Sequence, residues 1–142
     1  MTIERTFEVY AVRRPDRLIP VRAAIERYDG EWVFVFAFLP DGQSPIKWEV
    51  SAELLVSAFQ DEAAMNREIF LSVVRRGKQS NVRVTLTGVN EESNISLETT
   101  FIFPYMPLRA LAQLAQDGGC PSLNYATIVD SLIERIFTES RE

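Results

Sequence analysis

The chain has no histidine in its 142 residues and a single cysteine, Cys120. The first absence removes Ser-His-Asp and Cys-His arrangements and any histidine-ligated metal. The second removes an internal disulfide. With no signal-peptide pattern at the start, that points to the cytoplasm. Lysine is scarce as well: Lys47 and Lys78 are the only two, and 20 acids outnumber 15 bases for a net charge of −5. Duplex binding draws its affinity from cations set against phosphates, so the charge argues against nucleic acid as a partner. Long apolar runs are also missing. The longest, residues 32–39, falls well short of the roughly 20 residues a membrane-spanning helix needs, so no membrane insertion is expected. No glycine motif for phosphate binding occurs, and no cofactor or metal is expected.

What is present is a packed scaffold. Hydrophobic residues make up 46% and charged residues 25%, ordinary usage for a globular chain. The length suits one domain over residues 1–142, burying about two-thirds of its unfolded surface. Period-two alternation predicts strands over residues 6–12, 18–28, 32–39, 46–50, 68–74, 81–89 and 95–103. Asp29-Gly30 is a two-residue hairpin signal. Ser51 is a predicted N-cap for a helix whose apolar stripe is Leu54, Leu55, Ala58 and Phe59. A second helix starts around Pro107, which suits a first turn, and ends at Gly118-Gly119. A third, residues 124–138, carries Tyr125, Ile128, Val129, Leu132, Ile133 and Ile136 at helical spacing. The expected order is ββββ-α-βββ-αα, an α+β fold with a mostly antiparallel sheet.

Few side chains look chemical. Cys120 sits between Gly119 and Pro121, and without a base or helix N-terminus to lower its pKa it reads as a plain loop cysteine. Glu91-Glu92 could form a carboxylate pair, but a polar hairpin loop explains them more simply. Two basic clusters, Arg13-Arg14-Arg17 and Arg75-Arg76-Lys78, fall in turns. They would make one anion-binding patch if those turns met; a solvated turn is the plainer reading. The run Trp32-Val33-Phe34-Val35-Phe36-Ala37-Phe38-Leu39 is apolar on both faces of a strand. It is either core or, through Trp32, Phe34, Phe36 and Phe38, an oligomer interface. Base stacking fits least, since no basic residue lies within the run.

The order of Pro20-Val21, Arg27-Tyr28-Asp29, Trp48 and Glu53-Leu54-Leu55, followed later by Leu108-Arg109-Ala110-Leu111, resembles the SsgA-like proteins of actinobacterial sporulation-specific cell division. Ala52 stands where that family carries an arginine, and Lys47 where it carries an acid. The resemblance implies a whirly-like, SsgB-like fold and assembly as a trimer. It also implies a non-catalytic adaptor role at the division septum, with FtsZ-like division machinery as protein partner. A homo-oligomer, trimer or dimer, is expected. The exposed face of the first helix, with Glu53, Gln60 and Asp61, is the candidate partner surface. Two other classes stay open: a whirly-like single-stranded nucleic-acid module using the arginine turns, and a secretion chaperone. The strand at the start sets the chain apart from chaperones, which usually open with a helix.

Overall fold

A computed structural model describes residues 3–90 and 95–120. Its elements are β1 (Ile3–Ala11), β2 (Ile19–Tyr28), β3 (Glu31–Phe38), β4 (Ile46–Ser51), α1 (Ala52–Asp61), β5 (Ala63–Met65), β6 (Ile69–Val74), β7 (Asn81–Asn90), β8 (Ile95–Pro104) and α2 (Tyr105–Asp117). The strands form one antiparallel sheet of order β4-β3-β2-β1-β8-β7-β6-β5. The α+β class and the antiparallel sheet are as the alternation predicts. One short strand, β5, is additional. The third helix expected over residues 124–138 lies outside the described residues.

Local chemistry sets the connections. Asp29 (φ 48°) and Gly30 (φ 82°) both take the left-handed conformation that a type I′ turn needs. Tyr28 therefore pairs with Glu31, and the β2–β3 register runs on to Val21 against Phe38. Ser51 caps α1, its side chain accepting from the Glu53 backbone N–H at 3.3 Å. Glu62 ends α1 in the left-handed region and turns the chain into β5, whose three residues pair with β6.

The sheet curls at β1. Residues from Ile3 to Val9 pair with β2, whereas Tyr10 and Ala11 pair with β8. Two half-sheets, β2–β4 and β5–β8, thus share one strand and fold toward each other. Their facing rows hold Val21, Ile25, Phe34 and Phe36 on one side and Leu71, Val82, Val84 and Phe103 on the other, all buried. The helices fill one end of the space between. Leu54, Leu55, Val56 and Ala58 of α1, with Leu108, Leu111, Ala112 and Ala115 of α2, are the buried faces. Each large apolar side chain removed from water stabilises by about 1.5–3 kcal/mol. Gly118 packs against the Trp32 indole, where an added Cβ would come within 2.6 Å of the ring.

Candidate interaction surfaces

Phe34, Phe36 and Phe38 point into the chain's own core: the first two are closed to water and the third is 5% exposed. The Phe36 ring lies 5.3 Å from Phe34, 5.7 Å from Phe38 and 5.6 Å from Phe103, centre to centre. Trp32 is half-buried and packed against the core, with the Arg27 guanidinium 5.5 Å from its ring centre. The expectation that these four aromatics form an oligomer interface is therefore corrected for the three phenylalanines. Curling at β1 brings β8 over a face that a flat sheet would leave for a partner.

The opposite face of β3 is the one turned outward. Strand register aligns its residues in rows. One row is Glu4, Ala24, Val35 and Glu49; the next is Thr6, Arg22, Ala37 and Lys47; a third joins Glu26, Val33 and Ser51. Val33, Val35 and Ala37 make an apolar strip along β3, flanked by Arg22 and Glu26 on β2 and by Lys47 and Glu49 on β4, the last two paired at 3.0 Å. Ala24 and Val35 are nearly closed to water there. An apolar centre with a polar rim is the anatomy of many protein interfaces.

The second half-sheet presents different chemistry outward. Its rows read Tyr10, Ile102, Arg83, Ser72 and then Thr100, Thr85, Phe70. The Thr85 and Thr100 hydroxyls share a hydrogen bond of 2.9 Å. The alternation of Val82, Val84 and Leu86 with Arg83, Thr85 and Thr87 already implied that Arg83 faces out; nothing local showed what would surround it.

The arginine turns do not meet. The β1–β2 turn, with Arg13, Arg14 and Arg17, leaves the sheet past the Ala11–Phe101 pair. The β6–β7 turn, with Arg75, Arg76 and Lys78, leaves it in the opposite direction, beside Pro104. The two turns thus diverge from register positions three residues apart on β8. Arg75 also serves the fold. Its Nη2 donates to the Phe59 carbonyl at 2.6 Å and its Nε to the Tyr105 hydroxyl at 3.3 Å, and Nη1 lies 3.5 Å from Glu62. A guanidinium on the final carbonyls of a helix is a C-terminal cap, and the Tyr105 bond raises the pKa of Arg75 further.

On α1, Gln60 and Asp61 are exposed and Glu53 is half-buried. Glu53 borders a small hollow with Arg27, Trp32 and Cys120. Burial, and secondarily the charge of Glu53, push the Cys120 thiol pKa up, the opposite of an activated nucleophile. Among the described residues no cluster of three or more Cys, Asp or Glu could hold a metal ion. Glu91 and Glu92 lie outside those residues. Among the described residues, no helix is long and apolar enough to cross a membrane. Sequence reading missed an apolar cleft of about 290 Å³ between the half-sheets, at the end away from the helices. Trp48 and Ile46 face Leu86 and Phe101 across it.

Two solved structures share this architecture. SsgB, described through mutations that correlate with longitudinal cell division during sporulation of Streptomyces coelicolor, superposes with a TM-score of 0.64. The identity is 14%, over 85% of this chain and 91% of that one. An SsgA-like sporulation-specific cell division protein from Thermobifida fusca superposes with a TM-score of 0.62. Here the identity is 17%, over 95% of each chain. No protein-family model and no curated protein sequence matches the chain. The fold implied by the motif resemblance is the fold found.

Proposed function

We propose that the chain is a non-catalytic adaptor of the SsgA-like kind, working in sporulation-linked cell division through self-association and protein contacts. The observation that carries this reading is the superposition on an SsgA-like division protein along 95% of both chains. It agrees with the sequence motifs at Arg27-Tyr28-Asp29 and Glu53-Leu54-Leu55. Two features support contact rather than chemistry. Cys120 is buried with a raised pKa, and the outer face of β3 is an apolar strip flanked by charges on β2 and β4. The self-associating surface is that face, centred on Val33, Val35 and Ala37, in place of the phenylalanine row. The partner is division-ring machinery of the FtsZ kind, met at the septum from the cytoplasmic side, with the α1 face of Glu53, Gln60 and Asp61 as a contact.

The test joins two measurements. Light scattering at micromolar concentration should give the mass of a dimer or trimer. A fluorescent fusion in a sporulating actinobacterium should gather at septa together with the ring. A monomer that spreads evenly through the cell would overturn the reading.

A further inference from the structure

We propose that the hollow on the outer face of β6–β8 is a seat for an acidic, extended segment of a partner protein. The hollow has a volume of about 650 Å³ and is bordered by Tyr10, Val74, Arg76, Asn81, Arg83 and Ile102. Its floor is sheet, and its wall is the turn between β6 and β7. That turn is held by its own bonds. The Arg76 N–H donates to Ser80 Oγ at 3.0 Å, Ser80 Oγ donates to the Gly77 carbonyl at 2.8 Å, and the Gln79 N–H donates to the Arg76 carbonyl at 3.0 Å. Asn81 Nδ2 donates to the Gln79 carbonyl at 3.1 Å. The wall is therefore built before any ligand arrives.

Two groups remain unmatched once those bonds are made. Among the described residues, no acid forms an ion pair with the guanidinium of Arg76 or of Arg83. Arg75, by contrast, is turned away to α1 and its carbonyl. A free guanidinium fork matches a carboxylate in two-bond geometry. Two such forks beside the half-buried Tyr10, Val74 and Ile102 are complemented by acidic side chains spaced along an extended peptide, whose other residues lie on the apolar floor. Free phosphate brings the anion without the apolar contact. Nucleic acid brings phosphate, but a chain of net charge −5 lacks the cation excess that phosphate binding draws on.

The adaptor reading enters only in naming the partner as protein; the binding chemistry stands on the hollow itself. The test uses the full chain and a short fluorescent peptide of alternating Glu and Ala, with its Gln counterpart, inorganic phosphate and an oligo-dT strand beside it. The Glu peptide should bind with a salt-sensitive affinity, and the Gln peptide at least about tenfold more weakly. Arg83→Gln and Arg76→Gln should each weaken binding about tenfold, the worth of one charge-assisted bond. Arg67→Ala, an exposed arginine between β5 and β6 that does not border the hollow, should leave it unchanged. Equal binding of the Gln peptide overturns the proposal. So does oligo-dT binding more tightly than the peptide and lost in the same variants, or displacement of the peptide by phosphate at equal concentration. Septal recruitment and oligomer mass do not depend on these outcomes, so failure here leaves the adaptor reading standing, and the reverse holds too.

Discussion

Along β3 the outward residues are Val33, Val35, Ala37 and the following Leu39; along β7 they are Asn81, Arg83, Thr85 and Thr87. Inward, the same two strands are alike, with Phe34 and Phe36 facing a space also filled by Val82 and Val84, all buried. The halves of the sheet thus share one folding chemistry and differ in surface chemistry. Inward rows must exclude water whatever the protein does. Outward rows are free to differ, and here one half offers an apolar strip along β3 flanked by charges, and the other hydroxyls and unpaired arginine. Function is read from the side on which the halves disagree.

The largest expected effect tests the inward equivalence. Phe36→Ala removes the ring at the centre of the aromatic cluster and should cost about 3–5 kcal/mol, read as a lowered urea midpoint with an unchanged slope. Phe103→Ala, its neighbour from the other half, should cost a similar amount. If Phe36→Ala instead kept its stability and changed only the oligomer mass, the aromatic row would be an interface and the curl of the sheet wrong.

A second pair of substitutions probes the outward difference. Val33→Glu with Ala37→Glu places carboxylates in the strip. Dimer or trimer dissociation in light scattering should rise at least about tenfold, while the melting temperature of the resulting monomer changes by less than about 1 kcal/mol equivalent. The matching change in the other half, Thr85→Glu, should leave the mass as it was. Dissociation by Thr85→Glu alone would transfer the self-associating face to β7.

How much of this difference was legible beforehand varies by element. The β2–β3 hairpin was, because Asp29-Gly30 has one good solution between two strands. So was the start of α1, because Ser51 and Glu53 are adjacent to a change of period. The strand β5 was not: three residues are too few to show alternation, and its place depends on Glu62 turning back toward β6. The fate of the phenylalanines was not legible either. Both faces of residues 32–39 are apolar, and only the distant pairing of Tyr10 and Ala11 with β8 decides which is covered. For the same reason the two arginine turns could not be placed in sequence; their separation follows from β8 running antiparallel to both β1 and β7. Residues 124–138, read as a helix, are not among those described.

Within the basic turn itself, Arg75 and Arg76 should behave as opposites. Arg75→Ala loses the bonds to Phe59 and Tyr105 and should lower stability by about 1 kcal/mol, a figure kept small because the side chain is 42% exposed. Arg76→Ala, which has no such bonds, should leave urea unfolding unchanged. Equal losses in both would make the turn a structural unit and weaken the contrast between the halves.

The smallest effect concerns Cys120, at the helix end of the first half. Its thiolate is disfavoured by burial and by Glu53, and the thiolate is the reactive form. Alkylation of the native chain at neutral pH should therefore be slower than that of the same chain in denaturant. The rate should keep climbing with pH past the ordinary thiol value of about 8.5, where that of the denatured chain levels off. The sign for stability follows. A folded-state pKa raised above the unfolded one gives a contribution fully present below the unfolded pKa and lost as pH rises through the folded value. Unfolding should thus become slightly easier in the alkaline range and not in acid. Glu53→Gln removes the smaller of the two causes, so it should bring the alkylation profile partly back and leave most of the delay in place. A full return to the denatured rate would mean that the charge on α1, rather than the packing of α2 against Trp32, is what shields the thiol.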